Sequence, residues 1–425
     1  MLLLLKNVHL ITAEGESTAR QDLLIRDGII EKTGPGLTAG PGATVWEFPN
    51  ACVSPGWFDL GVQTGDPGFE HREDLSSATR AAAAGGFTAV ASFPNTQPAI
   101  HAKPEVQYVL NKTAGSAVRV FPVGAISQEA EGKDLAELYD MHAAGAVAFS
   151  DGAKPVQDAG LLLRALQYSQ AFNGLIINHP HHKTLAAGGQ LHEGLVSTSL
   201  GMKGIPALAE EIMLQRDLSL LEYAGGRLLV HLVSTRKSVD MLRSAKAAGL
   251  HVSASVALLN LCFTDEQMSG AQAFDSNWKV LPPLRSESDR AALLEGLADG
   301  TIDLVCTNHS PWDQEAKNLE FPYADFGMIG LQTAFPLWQT QLGSQLSLAD
   351  FVRVFALAPR RVLGLPAPEI RVGERAELTV FDPEAPFELR ESDILSKSKN
   401  TPFTGRPMRG KVLGIVSGAQ ALTSR

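Results

Sequence analysis

The sequence predicts an α/β fold: a TIM-like (β/α)8 barrel in the middle of the chain and a small β-sandwich domain built from both termini. Two observations carry this expectation. Apolar runs of strand texture alternate with helix-like stretches across residues 53–365, whereas residues 1–52 and 366–425 share a texture of short apolar runs broken by turns. In order, residues 3–12 make a first strand, because Lys6 interrupts Leu2-Leu3-Leu4-Leu5 and no small-residue cleavage site follows. Residues 22–26 and 29–32 flank Asp27-Gly28, a dipeptide suited to the positive φ of a tight hairpin. In the centre, strand-like runs fall at 87–93, 146–149, 174–178, 227–233, 251–256 and 302–307, with helical material such as 76–84 and 238–248 before them. Parallel strands joined by helical crossovers follow, and no G-x-G-x-x-G phosphate loop argues for an open doubly wound sheet instead. The tail segments 376–382 and 411–416 return to the texture of the N-terminus. In a closed barrel, chemistry belongs at the C-terminal ends of the strands.

Composition narrows the partners. With 36 Lys+Arg against 46 Asp+Glu the formal charge is -10, so nucleic acid is excluded as a partner for want of a basic face. Hydrophobic residues at 44% and charged residues at 19% supply a core and no disorder signature. Cys52, Cys262 and Cys306 form no C-x-x-C pair, which fits a reducing, cytoplasmic setting and excludes a thiolate zinc knuckle. No run approaches the roughly 18 apolar residues of a membrane span.

Several strings together resemble one family. Pro55-Gly56-Trp57-Phe58-Asp59, Asp66-Pro67-Gly68-Phe69-Glu70, Ala84-Gly85-Gly86-Phe87-Thr88 and Pro94-Asn95-Thr96 come first. They are followed by the run 201–211, His231-Leu232-Val233-Ser234-Thr235, Pro282-Pro283-Leu284-Arg285, Asp299-Gly300-Thr301-Ile302-Asp303 and the run 396–405. In this order they resemble the dihydroorotases, metal-dependent hydrolases of the amidohydrolase superfamily, over nearly the whole chain. The resemblance implies a metal-binding barrel carrying a small β domain, with the 396–399 stretch packing the tail on the barrel. It also implies interconversion of carbamoyl-aspartate and dihydroorotate in pyrimidine synthesis. That reaction needs a metal-bound hydroxide, since an amide carbonyl is a poor electrophile and water a poor nucleophile.

The ligand positions that the resemblance implies are mostly altered. Gly61 and Gln63 stand at the two histidines of the family's His-x-His, and Gly152 stands where a metal-bridging carboxylate belongs, with Asp151 one residue away. His179 and His231 are retained, while Asn308 occupies the place of the catalytic aspartate that is ligand and general base together. An amide cannot accept the proton of the attacking water. On the substrate side Asn95 is retained, but Gly65 replaces the carboxylate-binding arginine, Leu281 an asparagine, and Trp312 a histidine. The expectation is a chain without bound metal or other cofactor, catalytically inactive. Restoring histidine at 61 and 63 and aspartate at 152 and 308 is expected to return the ligand set and leave Gly65 and Trp312 limiting.

Other readings stay open. His179, His181 and His182 with His231 could form a rearranged mononuclear site; in the favoured reading His179 and His231 are held by hydrogen bonds and His181 and His182 face solvent. His309 is read as structural, Lys154 as a loop lysine, and His71, His101, His142, His192 and His251 as having no partners at ligand spacing. Three functions compete. The first is a structural or regulatory pseudoenzyme, resembling the non-catalytic subunits that assemble with aspartate carbamoyltransferase, and itself homo-oligomeric. The second is an active dihydroorotase or cyclic amidase with an unusual zinc site. The third is a module that binds a small anion or amide through Asn95. Metal content separates the first two, and a thermal-shift panel of carbamoyl-aspartate, dihydroorotate and orotate singles out the third.

Overall fold

The computed structural model of the protein describes residues 1–424. Eight parallel strands follow one another around the centre in chain order: β1 (Trp57–Val62), β2 (Phe87–Ser92), β3 (Arg119–Gly124), β4 (Ala148–Phe149), β5 (Leu175–Asn178), β6 (Arg227–Val230), β7 (Val252–Ala257) and β8 (Leu304–Cys306). Alternate residues point inward, where Phe58, Leu60, Ala91, Ile177, Leu229 and Cys306 pack in one buried cluster. The first and last strands are joined through side chains as well as backbone. Asp59 of β1 accepts the Thr307 amide at 2.8 Å and the Thr307 hydroxyl, and the Gln63 amide donates to the His309 carbonyl at 3.1 Å.

Two of these strands escaped the sequence reading as strands. β1 contains Asp59 and Gly61, both poor strand formers, and β3 contains Pro122, which lacks an amide to donate. The Pro122 carbonyl still accepts from the Val147 amide at 3.1 Å, so the parallel ladder tolerates it. The helices start slightly earlier than their apolar periodicity suggests, because caps set the boundary. Asp74 caps Leu75–Ala84 by accepting from the Ser77 amide, and Thr235 caps Arg236–Ala247 by accepting from the Ser238 amide.

Both termini share a second sheet in the order Gln420–Thr423, Pro407–Ser417, Glu377–Glu388, Cys52–Pro55, Leu2–Thr12, Gln21–Arg26, Ile29–Gly34. The Asp27-Gly28 hairpin has φ of +49° and +84° at its two central residues, as that dipeptide permits. Cys52–Pro55 belongs to this sheet, so the sheet runs a few residues past the boundary drawn at residue 52. Arg360, buried at the barrel wall, pairs with Glu377 of the tail and donates to the Gly56 carbonyl at 2.7 Å. The tail also reaches the other end of the barrel. The Lys397 amine meets Asp74 at 2.5 Å and donates to the Glu70 carbonyl at 2.7 Å, and Ser398 donates to the Arg72 carbonyl at 2.7 Å. Among the described residues no helix is long and apolar enough to cross a membrane.

Candidate functional site

The residues singled out in the sequence lie where a barrel places its chemistry. Gly61 is the penultimate residue of β1, with Gln63 and Gly65 just beyond; Asn95 follows β2, Gly152 follows β4, His179 follows β5, His231 follows β6, and Asn308 and Trp312 follow β8. They therefore share the C-terminal mouth.

One retained imidazole is hydrogen-bonded to the backbone of the other retained histidine. His179 Nδ1 lies 3.0 Å from the His231 carbonyl, and His231 Nδ1 lies 2.9 Å from Ser255 Oγ. The Phe93 ring meets His231 edge-on at 5.0 Å between centroids. Burial pushes both imidazoles below their ordinary range, His231 the further, with His179 beside it adding to the effect. Both are neutral at neutral pH, and the acceptor role of the His231 carbonyl assigns the His179 proton to Nδ1.

The neighbouring positions offer little to a cation. Gly61 has no ligand atom, and its Cα faces His231 and Phe93. At Gly152 the Asn95 side chain occupies the space, its carbonyl oxygen accepting the Ala153 amide at 2.8 Å and its amide donating to the Asp151 carbonyl at 2.9 Å. The Asp151 carboxylate is committed to a neighbouring loop, accepting the Ser127 amide at 2.9 Å and the Ser127 hydroxyl at 2.5 Å. Asn308, held at φ +55°, donates its side-chain amide to the Leu281 carbonyl at 3.0 Å. Lys154 is exposed. A zinc ion requires three or four donors, and among the described residues no group of three or more His, Cys, Asp or Glu is arranged to hold a metal. The residues present do not fit the family's metal.

One expectation needs correction. His181 and His182 do not face open solvent: both are half-buried, His181 stacks on His179 at 5.8 Å, and burial pushes its pKa down to about 3. His192 is bound within the protein by a cation, its Nδ1 receiving Arg285 at 3.1 Å, and burial followed by the Arg285 charge brings it down to about 4. Trp312 is tied to the rim, donating Nε1–H to the Phe326 carbonyl at 2.9 Å with the Arg72 guanidinium 4.1 Å over its ring.

Sequence reasoning also missed two buried networks at this end. Arg285 donates to Ser234 Oγ at 3.0 Å and to the Ile205 carbonyl at 2.9 Å and stands 3.8 Å from Glu210, whose carboxylate caps the amides of Ser234 and Thr235. Glu73 accepts the hydroxyls of Ser77 and Ser396 and faces His309 Nε2 at 3.5 Å. Burial works to raise the Glu73 carboxyl, but His309 and the two hydroxyls overcome it and hold it below its ordinary value. The sequence signal for the first network is that Glu210, Ser234 and Arg285 fall inside the motif strings; of the second, only Ser396 does.

Comparison with known proteins places this geometry. A family model described as dihydro-orotase-like matches residues 51–238. A protein named dihydroorotase from Pelotomaculum thermopropionicum is 42% identical over 99% of this chain and 98% of its own length. The chain belongs to the dihydroorotase family. A second dihydroorotase, from Geobacter sp. strain M21, is 38% identical over 99% of each chain. Among solved structures, the L-hydantoinase of Arthrobacter aurescens superposes with a TM-score of 0.83 at 24% identity, covering 100% of this chain and 96% of its own. At that identity the likeness speaks for the barrel architecture, which this dihydroorotase-family chain shares with the hydantoinases.

Proposed function

We propose that this chain is a non-catalytic dihydroorotase relative in pyrimidine synthesis, acting as a structural or regulatory subunit. One observation carries the reading: the donor set at the barrel mouth. Two neutral imidazoles, His179 and His231, remain there with no third donor arranged to share an ion with them among the described residues, Gly61 and Gly152 bring no ligand atom, and Asn308 directs its amide at the Leu281 carbonyl. Opening a cyclic amide requires an activated water and a base to take its proton, and a neutral amide at 308 supplies neither. The catalytic role therefore has no residue to perform it, and the surface remains as the useful part. A cytoplasmic homo-oligomer that binds aspartate carbamoyltransferase is the form to test, by co-purification of the two chains.

Elemental analysis of protein purified without chelator, together with dihydroorotate hydrolysis followed in the ultraviolet, tests the reading. We expect well under one equivalent of zinc, no turnover above buffer, and a melting temperature unchanged by a chelator, since the folding free energy owes nothing to an ion. The relatives' shared name favours a second reading, an active dihydroorotase with an unusual metal site. About one or two zinc ions surviving dialysis, with turnover, would establish that reading instead.

A further inference from the structure

Three of the altered positions share a feature that the loss of ligand atoms does not require. Gly61, Gly65 and Gly152 have φ of +95°, +65° and +59°, a region that side-chain-bearing residues rarely adopt. Gly65 and Gly152 are also sterically shut, and Gly61 is crowded by two rings. A Cβ at Gly61 would lie 3.0 Å from His231 Cε1 and Nε2 and 3.0 Å from Phe93 Cε2. At Gly152 a Cβ would overlap the Asn95 carbonyl oxygen outright, and at Gly65 it would lie 2.8 Å from the backbone oxygens of Glu73 and Phe69. Backbone oxygens cannot rotate away, and the Asn95 amide is tied at both ends to the loop after β4.

We infer that the barrel mouth has been rebuilt as packed core, with His231, Phe93 and Asn95 filling the volume that side chains at 61 and 152 would need. This deepens the non-catalytic reading and rests on it: the site is closed by packing as well as emptied of ligands. Asn95, the one retained substrate residue, serves here as a strut between the loops after β2 and β4. Restoring histidine or aspartate therefore does not regenerate a site, contrary to the expectation drawn from the sequence. An introduced side chain must displace His231, Phe93 or Asn95 and strain its own backbone. An arginine at 65 would instead press on the backbone of Phe69 and Glu73.

The test separates packing from backbone strain. Gly249 has φ of +82° with open space where its Cβ would be, so Gly249→Ala measures the cost of the conformation alone. Gly152→Ala and Gly61→Ala should each melt a few degrees below that control. In an Asn95→Ala background the excess loss at Gly152→Ala should vanish, a coupling that a double-mutant cycle reads directly. Alanine variants melting with the control, or an excess indifferent to Asn95→Ala, would overturn the inference. The variant Gly61→His/Gln63→His/Gly152→Asp/Asn308→Asp should bind less than one equivalent of zinc; one or two equivalents at the parental melting temperature would overturn it too. If that variant fails to fold, the alanine cycle still decides. Zinc and turnover in the unmodified protein would overturn the non-catalytic reading, an outcome distinct from either.

Discussion

Asp59 is wholly buried in β1 and accepts the amide and hydroxyl of Thr307 across the seam of the barrel. Burial pushes its pKa from 3.8 up to about 6, although the two Thr307 bonds pull it back. The folded state then holds the proton more tightly than the unfolded chain, so this group costs stability as pH rises from 3.8 through about 6, and the cost is complete above that. Thr307→Val removes a bond made to the ionised form and raises the folded pKa further. We expect it to cost about 1.5–3 kcal/mol at about pH 8 and distinctly less at about pH 4, measured by urea denaturation. An equal cost at both would mean that the hydroxyl does not favour the carboxylate. Asp59 was legible in the sequence as part of the Pro-Gly-x-x-Asp string; its partner was not, because Thr307 lies at the opposite end of the barrel sequence.

Among the elements, the segment after β8 shows how a loop with only one short helix, Gln314–Lys317, is held in place. Lys317 is buried and donates to three carbonyls, those of Ser276 at 2.6 Å, Asp325 at 2.8 Å and Gly327 at 3.0 Å. Lys279 does the same for Phe321 at 2.7 Å and Pro322 at 3.1 Å. Burial pushes both amines down to about 8, with Lys279 adding to the effect at Lys317. Lys317→Met leaves the Asp325 carbonyl without a donor and takes one of two donors from the carbonyls of Ser276 and Gly327, so it should cost about 1–3 kcal/mol. Hydrogen exchange should accelerate across residues 313–328 while β5 and β6 stay protected. Uniform acceleration would show instead that the whole barrel depends on this clamp. Neither lysine stands out in the sequence, since an ammonium gains a fixed role only when folding brings carbonyls to it.

For the molecule as a whole, the question is what joins barrel to terminal sheet. Arg360, nine-tenths or more buried, pairs with Glu377, which also accepts from Thr88 Oγ1 at 2.9 Å. Trp57 packs beside this pair against Phe351 at 4.7 Å and Phe381 at 5.4 Å, bridging the barrel and the tail strand. Arg360→Met leaves Glu377 charged and buried without its partner, a change that costs about 3–5 kcal/mol. Arg360→Met/Glu377→Leu should recover most of the loss, because no charge is then stranded. A double variant as unstable as the single would mean that the lost bonds to Gly56 and Ala356 dominate.

The order of strands and helices, the terminal sheet and the types of donor at each motif position were legible in the sequence alone, because they depend on local periodicity and on residue identity. The strands β1 and β3 themselves were not, since a proline or an aspartate inside a strand is tolerated only where the neighbouring strand and a distant partner compensate. Nor could the sequence tell an emptied site from a filled one. That Gly61 backs onto His231, that Gly152 backs onto Asn95 and that Asp151 turns to Ser127 were decided by tertiary structure. The physical reason is excluded volume and hydrogen-bond competition: both act between groups far apart in the chain, and neither exists until the barrel closes.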